Sequence, residues 1–248
     1  MAGPFGVRDV LALHCMLASA AAWRGVARAL DGARLTCPDL PGHGCAPDWD
    51  GERPYMDAAA EVALTSAPEG RFDLLGHSYG GCVALRLLAD HPGRIRSLVL
   101  VEPVMFAAAA PALREAQRRG QAPYAAAMAR GDREAAARAF TGAWGGGGDW
   151  DALPDRQRAY IRDRIHLVAA SSAGIVDDAH DVLDRLPAAP PPVRIVTRAD
   201  PPAIVEGIAQ GLAARLRGAR VARLGRGHMI PMEAPEDLAR LVQDVWRG

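Results

Sequence analysis

A serine hydroxyl attacks carbon only when the backbone holds it clear of its surroundings and a base takes its proton. Ser78 stands in the first of those conditions, at the centre of Gly76-His77-Ser78-Tyr79-Gly80. Leu74-Leu75 before this pattern reads as a strand, and Val83, Leu87 and Leu88 after it fall at helical spacing. A strand that turns sharply into a helix strains the residue at its apex, and the residues two before and two after must lack a Cβ for the two elements to approach. Gly76 and Gly80 fill those places. The turn lifts Ser78 above the sheet at the positive end of a helix, with the backbone N–H of Tyr79 free to face a developing oxyanion. The chemistry on offer is nucleophilic attack on a polarised carbonyl.

The elements that must position this serine alternate. Arg8 to His14 is an apolar run of the kind buried in parallel sheets. Ser19 to Leu30 follows as a helix, with Ser19 as N-cap and Trp23, Val26, Ala27 and Leu30 on one face. Ala33 to Cys37 is a short strand, Tyr55 to Ser66 a helix, Phe72 to Gly76 the strand carrying Ser78, and Arg94 to Val101 the next buried strand, ending at Glu102-Pro103. Between Pro103 and about Pro187 no strand is evident, and helix-favouring stretches run over Asp132 to Phe140 and Asp155 to Ala170. Gly145 to Gly148 reads as a hinge or loose connector, because no strand precedes it and no Lys-Ser or Lys-Thr follows. Pro192 to Thr197 and Ala219 to Leu224 are strands, and Pro202 to Leu216 and Pro235 to Trp246 are helices. Strand and helix in this order predict an α/β fold with a doubly wound, mainly parallel sheet of about six strands. The expected division is a core over residues 1–102 and 188–248, with a helical cap over 103–187 lying across the C-terminal edge of the sheet.

The chain has 248 residues, half of them hydrophobic, and 29 basic residues, all arginine, balance 29 acidic ones. That is enough for one large core. Zero net charge without a basic block argues against a nucleic-acid or anionic-membrane partner. No apolar run approaches the roughly 20 residues that span a bilayer, and no charged segment with a long apolar core opens the chain, so the expected location is cytoplasmic. Cys15, Cys37, Cys45 and Cys82 lack Cys-x-x-Cys spacing and read as free thiols rather than disulfides or a zinc site.

Four stretches in the same order resemble the capped α/β-hydrolase fold enzymes, a family of esterases, lipases, thioesterases and carbon–carbon bond hydrolases. They are Leu13-His14 with the small residues after it, Pro38 to Gly44, the Gly76 to Gly80 turn, and Gly227-His228-Met229-Ile230-Pro231-Met232-Glu233-Ala234-Pro235-Glu236. The resemblance covers nearly the whole chain outside the cap. It departs at Cys15 and at Thr197, both usually Gly in the family, and at Cys45, often Ser. With so few residues before His14, the family's opening antiparallel hairpin is expected to be absent.

The resemblance implies that Ser78 is the nucleophile and His228 its base. His14 and His43 read as structural partners beside the site. For the acid that orients His228 two positions compete: Asp200, at the commoner place in the family and favoured on that match, and Glu102, where some members carry it instead. The oxyanion donors would be the backbones of Tyr79 and Met16, with Met16, Leu17 and Met229 bordering the substrate. The expected activity is cofactor-free and metal-free hydrolysis of a small carboxylic ester or thioester through an acyl-enzyme. A carbon–carbon hydrolase acting on a diketone, or an idle member binding a small ligand, stand as alternatives.

Overall fold

The computed structural model describes residues 7–144 and 150–247. The tetraglycine expected to act as a hinge lies outside the described residues. The first strand, β1 (Arg8–Leu13), is followed by α1 (Arg24–Ala29), β2 (Ala33–Thr36), α2 (Tyr55–Ser66), β3 (Phe72–His77), α3 (Tyr79–Asp90) and β4 (Ile95–Val101). Five helices then run without a strand among the described residues: α4 (Pro111–Gly120), α5 (Ala122–Ala129), α6 (Arg133–Trp144), α7 (Asp155–Arg164) and α8 (His166–Val176). The alternation resumes with β5 (Val193–Thr197), α9 (Ala203–Arg215), β6 (Arg220–Arg223), α10 (Ile230–Glu233) and α11 (Pro235–Arg247).

The six strands form one sheet in the order β2-β1-β3-β4-β5-β6, every pairing parallel. No antiparallel hairpin opens it among the described residues. Alternate side chains of each strand enter opposite layers, as a period of two requires. Leu11 and Leu13 of β1, Leu98 and Leu100 of β4, and Ile195 of β5 pack with α2, α3 and α9. Val10, Ala12, Val99, Val101 and Val196 face the other way, onto Val26 of α1 and Leu238, Val242 and Val245 of α11. Strand order reverses between β1 and β3, which opens a crevice at the C-terminal ends of these strands.

Four elements depart from the sequence expectation. Ser19 caps a 3₁₀ turn, Ala20–Trp23, and the α-helix starts only at Arg24. The helix expected over Asp155 to Ala170 is two helices meeting at Ile165, whose side chain is wholly buried. Helices α4 and α5, each with a proline in its first turn, occupy a stretch where the sequence reading named no helix. The short α10 fills the loop after His228. Among the described residues, no helix is long and apolar enough to cross a membrane.

At the end of the sheet away from the crevice, the wholly buried Asp73 of β3 ties three neighbours together. The Arg8 guanidinium donates to its two oxygens at 2.8 Å each, Ser97 Oγ at 2.6 Å and Arg96 Nη1 at 3.1 Å. Removing the acid strands a mostly buried guanidinium, a loss of the kind that is strongly destabilising. Asp73→Ala is expected to lower unfolding free energy in urea by about 3 kcal/mol, while a change at the exposed Asp50 leaves the midpoint in place.

Candidate active site

The turn after β3 has the geometry its sequence demanded. Ser78 takes φ 54° and ψ −116°, a conformation that L-residues rarely adopt. Its N–H donates to Val101 O at 2.8 Å and its carbonyl accepts from Gly81 N at 2.9 Å, so the strained residue is fixed from both sides. A Cβ on Gly76 would lie 2.5 Å from Gly80 O. A Cβ on Gly80 would lie 2.3 Å from Leu13 O and 2.6 Å from His14 O. The second glycine therefore admits the end of β1 rather than strand β3, and this brings the Cys15–Leu17 loop beside the serine. Tyr79 opens α3, where first-turn N–H groups have no partner within the helix.

That loop is pinned by two histidines. Leu40 N donates to His14 Nε2 at 2.9 Å, while His14 Nδ1 donates to Cys15 O at 2.7 Å. Leu17 N donates to His43 Nε2 at 2.9 Å, and His43 Nδ1 donates to Pro41 O at 3.0 Å. Both rings are thereby set as the Nδ1–H tautomer. Leu17 sits at φ 62°, and Ala18 N reaches back to Cys15 O at 3.2 Å, so Met16 lies at the crest of a tight turn. Helix α7 adds a third pin: Tyr160 Oη donates to Ala18 O at 2.9 Å and accepts from Gly44 N at 3.2 Å. Burial pushes the Cys15 thiol up to about 12, which keeps it protonated, and its Sγ rests 3.9 Å from Met229 Sδ.

His228 follows β6, and its imidazole is nearly buried. Its Nδ1 meets Glu102 Oε2 at 3.1 Å, and its backbone carbonyl accepts from His77 Nε2 at 2.8 Å. The indole of Trp144, the last residue of α6, stands edge-on to the ring with centroids 5.3 Å apart. Ser78 and His228 line the same cavity.

The position favoured for the acid is not the one beside His228. Asp200 is exposed and makes no ion pair among the described residues. Ala199 N is tied to Gly225 O at 3.0 Å, and the chain turns outward after it. Glu102 is wholly buried, takes φ 46°, and donates its N–H to Val196 O at 2.7 Å. Burial pushes its carboxyl up, but hydrogen bonds from His228 and from the side chain and backbone of Arg198 outweigh that and hold it below the usual carboxylate range.

The cavity measures about 590 Å³. Met16, Leu17 and Met229, named from the sequence, all contribute to its wall, as do Val104, Phe106 and Phe140. Among the described residues its wall holds one Arg, the exposed Arg24, and no Asp or Glu; the arginines of α4 and α7 do not line it. Arg118 and Arg119 instead pair with Glu115, and Arg158 with Asp151 and Asp155. Trp144, Tyr160 and Arg198 were not singled out by the sequence reading, since an aromatic or arginine outside a motif carries no signal of where it packs. Among the described residues, no group of three or more histidine, cysteine or carboxylate side chains is placed to hold a metal ion.

A family model for the alpha/beta hydrolase fold matches residues 10–146. The chain is 35% identical to lipase LipV of Mycobacterium tuberculosis over 107 residues, 42% of this chain and 40% of the lipase, so it spans about two fifths of that relative's length. A pimeloyl-(acyl-carrier protein) methyl ester esterase of Aromatoleum aromaticum is 28% identical over 266 aligned positions, covering 97% of this chain and 98% of the esterase. A solved alpha/beta hydrolase from Sphaerobacter thermophilus shares the fold with a TM-score of 0.72 at 21% identity, over 97% of this chain and 93% of that one.

Burial holds His14 and His166 below the ordinary histidine value and brings His43 and His77 down to about 3. Folding keeps these rings neutral, so their contribution is complete above the unfolded value of about 6.5 and is lost as pH falls towards the folded values. The urea midpoint should therefore drop between pH 7 and pH 4.5. His77→Gln, which keeps a donor for the His228 carbonyl but cannot ionise, should show a shallower fall over the same range.

Proposed function

The chain belongs to the alpha/beta hydrolase fold family, and from that premise we propose that it is a serine hydrolase cleaving a carboxylic ester or thioester through an acyl-enzyme. The observation that carries this reading is the strained Ser78 sharing a cavity with His228, whose far nitrogen rests on the buried Glu102. Relatives named as a lipase and as a methyl ester esterase support an ester bond as the target. The helical segment acts as the cap, since α6 delivers Trp144 onto His228 and α7 holds the Ala18 carbonyl.

In the proposed reaction Ser78 Oγ attacks the substrate carbonyl while His228 Nε2 takes its proton. Glu102 holds the imidazole in the Nδ1–H tautomer and stabilises the imidazolium. The tetrahedral oxyanion forms against the N–H groups of Tyr79 and Met16. Collapse expels the alcohol or thiol with the proton from His228. Water, deprotonated by the same histidine, then attacks the Ser78 ester and releases the acid. Met16, Leu17 and Met229 border the acyl group, and a cavity of this lining favours an uncharged one.

A fluorophosphonate probe should label one serine, and labelling that persists in Ser78→Ala sinks the assignment. Glu102→Gln is expected to lower kcat on the order of 10⁴-fold with little change in KM. Asp200→Asn, at an exposed carboxylate, should stay within about twofold of the parent. A panel of neutral p-nitrophenyl esters, an acyl thioester and a ring-cleavage diketone reads the bond type, and esters with a carboxylate-ended acyl chain should be the poorer substrates.

A further inference from the structure

Arg198, one residue past β5, reaches back over the sheet to the carboxylate that orients His228. Its backbone N–H donates to Glu102 Oε1 at 2.7 Å, and its Nε and Nη2 donate to Oε2 at 3.1 and 2.6 Å. His228 Nδ1 meets that same Oε2 at 3.1 Å. The Arg198 side chain is itself only 14% exposed, and the carboxylate is wholly enclosed. The carboxylate cannot rotate without breaking four hydrogen bonds at once, three of them from Arg198, and a guanidinium nitrogen sits closer to its charge than the imidazole does.

We propose that Arg198 is a positioning residue for the reaction: it locks the Glu102 carboxylate onto His228 and offsets part of its negative charge, so that the imidazole binds its proton less tightly. The inference rests on the serine-hydrolase reading for its meaning in catalysis, but its physical content does not. A fixed oxygen orients the ring. A carboxylate already paired with arginine stabilises an imidazolium less than a free one.

No other charge competes for that carboxylate among the described residues. His77 of β3 faces His228 from below and is held neutral by burial, titrating at about 3. Cys15, beyond β1, stays a thiol. Glu233 of α10 spends its carboxylate on Arg226 N and Gly227 N, and Arg24 lines the cavity from an exposed position.

The test follows the His228 imidazole by NMR titration in the parent, Arg198→Met and Arg198→Lys, with His228→Gln identifying its signal among the seven histidines. Arg198→Met removes a charge within hydrogen-bond reach and should move the titration up by about one pH unit. Arg198→Lys keeps the charge but not the fork, so its titration should stay near the parent's. The pH dependence of inactivation by diisopropyl fluorophosphate should follow the same order, its acid limb moving up in Arg198→Met. In Arg198→Lys the limb should stay and the rate fall about tenfold. Arg198→Gln replaces Arg198→Met if the latter does not fold, with the same expectation. An unmoved His228 titration in either folded, uncharged variant overturns the proposal, leaving Arg198 a structural residue. Variants whose His228 titrations move as expected, in a protein whose parent is never inactivated by the reagent, sink the serine-hydrolase reading and leave the clamp standing.

Discussion

The last rungs of a parallel ladder decide where the side chains of the candidate site stand. Ser78 and Glu102 each lie one residue beyond a strand, each has a positive φ, and each still donates its N–H to the neighbouring strand, Ser78 to Val101 and Glu102 to Val196. The hydrogen-bond register thus extends one residue further than the extended conformation does. A backbone that keeps its rung while reversing φ must swing its side chain out of the pleat, and both side chains are delivered onto the C-terminal face. Non-glycine residues in such conformations cost on the order of 1–3 kcal/mol each and persist only where the surroundings over-determine them. Here the surroundings are two buried strands and the close approach of β1 to Gly80.

The Cys15–Leu17 loop beside Ser78 is held differently, by side chains rather than by a ladder. His14 and His43 cross-brace it to the Asp39–Gly44 turn, and Asp39 adds its own bonds to Ala20 N at 2.7 Å and Cys45 N at 2.9 Å. Tyr160 then joins this assembly to α7, and Arg164 of the same helix donates to Gly42 O at 2.8 Å while lying over the Tyr160 ring. The helical segment and the loop are therefore one hydrogen-bonded body. Displacing α7 would take with it the donor that fixes Ala18, two residues from the loop crest, and the acceptor that fixes Gly44.

The elements were legible where a local rule acts. Six strands, their order along the chain and the turn around Ser78 follow from apolar runs and glycine spacing, because close approach of backbone excludes a Cβ wherever the turn occurs, whereas His228 was read from the resemblance of its segment to the family. The helices between β4 and β5 were less legible, since α5 is alanine-rich with little amphipathic pattern, and Ile165, where α7 meets α8, is buried with Ala127, Ala136 and Ala137, which are distant in sequence. The acid was read at Asp200 because the matched segment usually carries it there. Nothing local to Thr197-Arg198-Ala199-Asp200 says that the chain turns outward at Ala199, tied to Gly225 of the following loop. Nothing local to Glu102 announces a positive φ.

The two candidate positions for the acid differ in one physical respect. A histidine loop that descends over β3 can be met from either flank of the sheet, and the flank is chosen by which strand end keeps a buried carboxylate ionised. Beyond the end of β5 the Asp200 side chain is in water, where its charge needs no partner. At the end of β4 the carboxylate is out of water, where its charge is costly unless several donors converge on it. Arg198 supplies three of those donors and His228 the fourth. An arginine at the end of β5 and a glutamate at the end of β4 are thus interdependent: the arginine occupies the ground where an acid from β5 would have to stand, and it makes the acid from β4 tolerable in the dark of the core.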